Sequence, residues 1–225
     1  SGPETIVRID TPAGQVTARG KMEGGRVTSV AFTNVPSFVL LGDQAVSVPG
    51  LGTVRYDVAF GGAFYAFVDA AEVGVTLGPE SFQQLIEKGT AIKRAVIGAG
   101  GITHPFEEDL SFLYGTIFTG VPLSDGADSR NVCIFAEGEV DRSPTGTGVS
   151  ARAAIQRARG ELEEGEKMVV ESIIGSRFSV RVLSDTEFGP FPAVIPEVEG
   201  SASITGRHEF VIDPDDPLRD GFILR

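Results

Sequence analysis

Glycine and proline cut this chain into short pieces. Its 29 glycines and 13 prolines are spread along all 225 residues and form no low-complexity tract, a distribution that demands many short elements joined by turns. From Thr5 to Phe32, Ile6, Arg8 and Asp10 alternate with Val7 and Ile9, while Gly14, Gly20 and the Gly24-Gly25 pair supply turns. That pattern predicts a β-meander. Short strands are also expected at Ser37–Leu41, Gln44–Val48, Val54–Phe60, Ala63–Asp69, Leu110–Phe118 and Asn131–Phe135. Strand-like patterning resumes over Lys167–Val182, Thr186–Ile195 and Ser201–Ile212, and ends at the turn-rich Asp213-Pro214-Asp215-Asp216-Pro217.

Two stretches change period. Phe82, Leu85 and Ile86, then Ala91, Ile92 and Ala95, share one face at about 3.6 residues per turn, so a helix is predicted over Pro79–Ala95, with Gly89 as a candidate break. A second run, Thr147–Leu162, holds Val149, Ala151, Ala153, Ala154, Ile155 and Ala158, and its alanines suit a helix packed closely on several sides. Two helices among a majority of short strands give an α+β class. No internal repeat and no linker separates two independent domains.

With 41% hydrophobic residues the chain can bury a substantial core. Its 19 Lys and Arg against 31 Asp and Glu leave a net charge of −12, which repels nucleic-acid phosphates and anionic lipid, and no basic patch offsets it. The longest apolar runs, such as Val30–Phe32 and Val132–Phe135, are far too short to span a bilayer, and no secretory signal precedes them. Ser1-Gly2-Pro3 reads as an arbitrary start. The single cysteine, Cys133, has no partner for an internal disulfide, which fits a reducing cytoplasm. Its apolar setting, Val132-Cys133-Ile134-Phe135, predicts a structural, inert thiol.

The chemistry concentrates in Asp141-Arg142-Ser143-Pro144-Thr145-Gly146-Thr147-Gly148-Val149-Ser150-Ala151-Arg152, a glycine-rich turn opening the alanine-rich helix. Free N–H groups at such a helix start suit a carboxylate. The same Ser, Thr and Asp residues also make ordinary N-caps, and the turn alone leaves both readings open. Other patterns fail. Glu166 stands where a phosphate loop built on Gly160 and Gly165 needs lysine, Ala151 and Arg152 break a nucleophile elbow after Ser150, and two histidines with one cysteine make no zinc site. Two prolines among Asp213, Asp215 and Asp216 favour a rigid turn over a calcium loop.

The stretch DRSPTGTGVSAR (Asp141 to Arg152) resembles the second-half signature of the proline racemase family, whose racemases and epimerases carry Cys at the fifth position, here Thr145. Further blocks resemble the family nearly end to end: IDTPAG (Ile9 to Gly14), TNVPSF (Thr33 to Phe38), VPGLG (Val48 to Gly52), DVAFGGAFYAFVDA (Asp57 to Ala70), ADSRNV (Ala127 to Val132), ESIIGSRF (Glu171 to Phe178), PAVIPEVEGSASITG (Pro192 to Gly206) and FVIDPDDPL (Phe210 to Leu218). The resemblance implies two cysteines flanking the Cα of a proline-like substrate, the first in a Met-Cys-Gly-His-Gly type motif that this sequence lacks.

An aliphatic hydroxyl is no base at neutral pH, whereas a thiol of pKa about 8.5 is readily tuned into one. Thr145 in the second seat therefore disfavours racemisation and favours elimination, which needs one base and a donor for the departing hydroxyl. Family members with a Cys/Thr pair resemble trans-3-hydroxy-L-proline dehydratases, which use no metal or other cofactor. The resemblance assigns Asp141 to the ring imino group, the backbone N–H groups of Gly146 and Thr147 to the carboxylate, and Thr145 to the second catalytic place.

It also implies a diaminopimelate-epimerase-like lobe, mostly antiparallel strands wrapped around a central helix. Residues 1–199 are expected to form the C-terminal lobe, and 200–225 to return to an N-terminal lobe that is missing here. A cytoplasmic homodimer acting on a small molecule is implied. The rivals are a proline or hydroxyproline epimerase, and an inert fragment or binding module without the base. The Phe60-Gly61-Gly62 turn with Phe64 reads either as a shield over the pocket or as a β-bulge. His104, before Pro105, is expected in a surface loop, with a place near the substrate as its alternative; His208 is expected in a strand. Arg130-Asn131 and Ser176-Arg177 are expected in networks between strands.

Overall fold

The alternating stretches become strands that pair edge to edge. The structure, a computed structural model, describes residues 4–222; the Ser1-Gly2-Pro3 start and residues 223–225 of the terminal segment lie outside the described residues. The meander forms as expected, with β1 (Glu4–Thr11), β2 (Gly14–Glu23) and β3 (Arg26–Thr33). Then come β4 (Ser37–Val48), β5 (Gly52–Phe60), β6 (Phe64–Asp69), β7 (Leu113–Gly120), β8 (Ser129–Phe135), the short β9 (Glu139–Val140), β10 (Lys167–Glu171), β11 (Arg177–Phe188) and β12 (Phe191–Gly200). The two helices are α1 (Phe82–Ala99) and α2 (Gly146–Ala158).

Strands β4, β5, β6, β7, β8, β10, β11 and β12 follow one another side by side, and β12 pairs back to β4 through Ala193↔Phe38 and Val194↔Ser37. The sheet therefore closes into a barrel. Farther along, β12 leaves β4 and pairs Glu197–Gly200 with β3, from which the meander extends. Most pairs are antiparallel, but β6–β7 and β8–β10 are parallel. A parallel pair needs a crossover, and the two helices lie in those two connections.

The helices are buried differently. Leu85, Gly89, Ile92 and Val96 put one stripe of α1 against the core. In α2, Gly148, Val149, Ser150, Ala151, Ala153, Ala154 and Ile155 are all buried. Val149, Ala153 and Ala154 pack with Val170, Val180, Val182, Val194 and Val198 of β10–β12, while Ala151 and Ile155 pack with Ala59, Tyr65, Phe67, Ile117 and Cys133 of β5–β8. Small side chains let backbones approach closely enough for contact with both sets of strands.

Several expectations need correction. The strands expected at Ser37–Leu41 and Gln44–Val48 are one strand, β4, bent where its register with β5 shifts between Val39 and Leu41 and between Leu41 and Gln44. Gly89 does not break α1. It is glycine because a Cβ there would stand 2.7 Å from Ile134 Cγ1. The second helix stops at Ala158, short of Leu162, where the chain turns through Gly160 at φ 71°. Residues 201–212 form no strand and pair with none of the described strands, and Ile204, Phe210, Val211 and Ile212 are exposed. His208 therefore lies on an exposed segment.

The seam between β8 and β10 is as short as the β12–β4 closure, with only Val170↔Ser129 and Glu171↔Arg130 in register. A buried ion pair reinforces it. Arg130 Nε donates to Glu171 Oε1 at 2.8 Å, with the two side chains 5% and 0% exposed, and Arg130 also donates to the Leu77 carbonyl at 2.7 Å. Burial alone would raise the Glu171 carboxyl; hydrogen bonds from Arg130, the Ser124 hydroxyl and the Leu123 N–H overcome it and bring the group down to about 2. Ser176 donates to the Arg142 carbonyl at 3.0 Å and Arg177 to Ser124 Oγ at 2.8 Å, tying neighbouring turns together.

Two stability outcomes follow from this packing. Glu171→Gln leaves a guanidinium buried without its counter-charge and should lower the unfolding free energy by about 3 kcal/mol. Because the folded carboxyl is depressed below its unfolded value of about 4.3, its stabilisation is complete above that pH and is lost as pH falls toward about 2. The variant should lack that acid-dependent loss, and denaturant titrations from pH 6 to 2 would refute the assignment if both proteins lost stability equally steeply. Gly89→Ala normally stabilises a helix by about 0.5–1 kcal/mol, but overpacking against Ile134 should cost about 1–3 kcal/mol. A lowered Tm is expected, and a raised one would contradict the close contact.

Candidate functional site

The turn that opens α2 is strained. Thr145 sits at φ 68° and ψ 97°, a left-handed conformation that a β-branched residue adopts at a cost of about 1–3 kcal/mol. Its side chain makes no cap to the helix. Instead Thr145 Oγ1 donates to Asp141 Oδ2 at 2.9 Å, while Asp141 Oδ1 accepts the Ser143 N–H at 2.7 Å. The ordinary capping reading of Thr145 is thereby overturned. The Asp141 N–H donates to the Cys133 carbonyl at 3.1 Å, which ties the turn to β8. The first intrahelical donor is the Val149 N–H, 2.7 Å from the Thr145 carbonyl, so the N–H groups of Gly146, Thr147 and Gly148 precede the helix ladder and stay available to an anion. Asp141, Thr145, Gly146 and Thr147 are thus brought together in one turn.

Behind the turn lies a layer in which the sequence singled out only Cys133. Tyr65, on β6, is 2% exposed and its hydroxyl shares a hydrogen bond of 2.7 Å with Thr147 Oγ1. Burial pushes the Tyr65 phenol far above its ordinary value, so it stays neutral. Its ring packs at 5.6 Å against Tyr114, which stacks on Phe135. Cys133 is 1% exposed. Burial pushes its thiol up to about 12, with the neighbouring Thr145 hydroxyl offsetting part of that rise and the Asp141 charge adding to it. A thiol so placed remains protonated at neutral pH.

Asn34 and Ser150 form a second set of contacts. Asn34 Nδ2 donates to the Gly61 carbonyl at 2.7 Å and to Ser150 Oγ at 2.9 Å, and Ser150 donates to the Gly146 carbonyl at 2.9 Å. The only sequence signal for Asn34 was its place in the TNVPSF block. The Phe60-Gly61-Gly62 turn does approach the start of α2: a Cβ on Gly61 would collide with the Thr147 carbonyl and stand 2.6 Å from the Ala151 nitrogen. Phe60 and Phe64 are fully buried and pack with Phe38 and His104.

His104 is 6% exposed, which corrects the expectation of a surface loop residue. The reason is aromatic packing, with ring centroids of Phe60 at 4.9 Å and Phe188 at 5.5 Å. Its Nδ1 accepts the Glu107 N–H at 2.9 Å, and burial holds the imidazole below its ordinary pKa. Asn131 accepts from Arg152 at 2.7 Å and reaches the Pro144 carbonyl at 3.4 Å, so it braces the strained turn rather than merely bridging strands. A cavity of about 450 Å³, lined by Asp43, Asp57, Asp69, Arg152, Gln156 and Glu161 among others, does not include Thr145 in its wall.

Among the described residues no group of three or more His, Cys, Asp or Glu side chains is placed to hold a metal ion, and no helix is long and apolar enough to cross a membrane.

The family model described as proline racemase matches residues 1–223. The chain is 47% identical over 225 residues to a protein of Colwellia psychrerythraea named trans-3-hydroxy-L-proline dehydratase, covering 100% of this chain and 63% of that one. It is 45% identical over 230 residues to a Homo sapiens protein of the same name, covering 99% and 64%. Among solved structures it is similar to a hydroxyproline epimerase of Agrobacterium vitis with bound trans-4-hydroxy-L-proline, with a TM-score of 0.89 at 37% identity over 100% of this chain and 64% of that one. The chain thus spans less than two thirds of the length of each of these three proteins. A match that runs across nearly the whole sequence, on a barrel that superimposes this closely, means that the chain belongs to the proline racemase family.

Proposed function

We propose that this chain supplies one half of the active site of a longer, cofactor-independent enzyme that dehydrates trans-3-hydroxy-L-proline to a pyrroline-2-carboxylate. The observation that carries the reading is the Thr145 hydroxyl, held 2.9 Å from Asp141 Oδ2 beside three helix-start N–H groups and excused from capping. In this reading the substrate carboxylate accepts from the Gly146 and Thr147 N–H groups and the ring imino group lies on the Asp141 carboxylate. A base outside this chain, the cysteine thiolate implied by the family resemblance, takes the C2 proton. The C2–C3 double bond forms as the C3–O bond breaks, and the hydroxyl leaves as water with a proton passed from the protonated ring nitrogen to Asp141, on to Thr145 and from its hydroxyl to the leaving oxygen.

The choice between elimination and epimerisation turns on acidity. A threonine hydroxyl does not become a base at neutral pH, so it cannot abstract a proton from the second face as a cysteine does. The names of the Colwellia and human relatives agree with elimination. Epimerisation is the second reading, favoured by the likeness to the Agrobacterium vitis enzyme.

We also read the barrel as closed around α2, supported by the contacts of that helix with strands on both sides. Residues 1–199 then make one lobe. The exposed, apolar residues Ile204, Phe210, Val211 and Ile212 belong to a segment returning to a second lobe. A cytoplasmic homodimer is part of the same proposal.

With the full-length protein, water loss from trans-3-hydroxy-L-proline is expected without interconversion of proline enantiomers. Thr145→Ala should lower kcat by about 10²- to 10⁴-fold, whereas Thr145→Cys should exchange the Cα proton of proline with deuterated solvent. Brisk racemisation by the unmodified enzyme would exclude the dehydratase reading. The isolated 225-residue chain should show no turnover of any of these substrates, and measurable water loss by it would place the base within the chain.

A further inference from the structure

The carboxylate site proposed above needs the Gly146 and Thr147 N–H groups aimed within about 10–20°, yet the first turn of α2 has little intrinsic reason to be rigid. Gly146 and Gly148 favour the unfolded chain. Thr145 supplies no cap, and helix ends fray. Some other group must hold the turn.

Three contacts converge on it, two of them made by Asn34 from outside the motif. Ser150 is fully buried and its hydroxyl donates to the Gly146 carbonyl at 2.9 Å, which fixes the peptide at the first helical residue. Having given its proton to that carbonyl, Ser150 must accept its other bond, and Asn34 Nδ2 supplies it at 2.9 Å. The same amide nitrogen donates to the Gly61 carbonyl at 2.7 Å, and Gly61 lies against the Thr147 carbonyl with no room for a Cβ. Asn34 is itself 6% exposed and anchored by its N–H, 2.9 Å from the Pro196 carbonyl of β12. The direction of every bond is forced, because both carbonyls accept only and the amide nitrogen donates only.

We infer that Asn34 is a positioning residue for the substrate carboxylate: through Ser150 and Gly61 it clamps the first turn of α2 so that the Gly146 and Thr147 N–H groups converge on one anion. The inference rests on the carboxylate role proposed for those two groups. It assigns Asn34 no contact with the substrate. Its effect is therefore on recognition of the carboxylate and not on the proton-transfer groups.

The test compares binding of proline with that of prolinamide, which keeps the ring and imino group but lacks the carboxylate, to the full-length protein by calorimetry. Asn34→Asp keeps the side-chain shape but turns a donor into an acceptor facing the Gly61 carbonyl; Ser150→Ala removes the link from the helix side. Each should weaken proline binding by about 10- to 100-fold while changing prolinamide binding little, so that the preference for the carboxylate collapses. Because both act through one chain of bonds, the double variant should lose little more than the worse single one. Folded variants that keep the unmodified preference overturn the inference, and if Asn34→Asp does not fold, Ser150→Ala decides alone. An unmodified protein without any preference for proline over prolinamide overturns the carboxylate role itself, and this inference with it.

Discussion

Closure of the barrel depends on a short parallel seam held by a buried ion pair. Strands β8 and β10 are parallel and share only two register pairs, and the buried Arg130–Glu171 pair lies at one of them. An ion pair taken out of water contributes little unless every remaining donor and acceptor is engaged. Here the carboxylate accepts from Arg130, Ser124 and Leu123, and the guanidinium also reaches the Leu77 carbonyl. Because α2 lies in the connection between these two strands, the seam also fixes where that helix enters the core. The turn carrying Thr145 is positioned as a consequence.

That turn stores strain instead of relieving it. A threonine at φ 68° persists only where its surroundings over-determine it. Asp141 takes its hydroxyl, Ser143 Oγ accepts its N–H at 3.1 Å, and its carbonyl starts the helix. Under the proposed reading, the strain turns the hydroxyl away from the helix N–H groups and leaves them for a ligand. The neutral groups behind it, Tyr65 and Cys133, place no competing charge beside the anion site.

Much of this site was legible beforehand because it is contiguous. Asp141, Thr145, Gly146 and Thr147 fall within one turn, so their proximity follows from chain connectivity. Asn34, Tyr65 and Cys133 were not legible as neighbours: they come from the β3–β4 connection, β6 and β8, and meet the turn only when the sheet closes. Cys133 was correctly expected to be buried, since its flanking residues are apolar. His104 was misjudged because a loop next to proline reads as exposed, and only the packing of Phe60, Phe106 and Phe188 about it makes the position interior.

The sequence by itself determined the meander, the α+β class, the two helical stretches and the acid-threonine-glycine turn, because alternation, helical period and chain adjacency are local properties. Tertiary structure decided what depends on distant partners. It made Gly89 a packing site rather than a helix break, merged two expected strands into β4, and left 201–212 unpaired with any described strand. Hydrogen bonds and side-chain volume are settled by whichever surface arrives opposite, and a linear pattern does not carry that information.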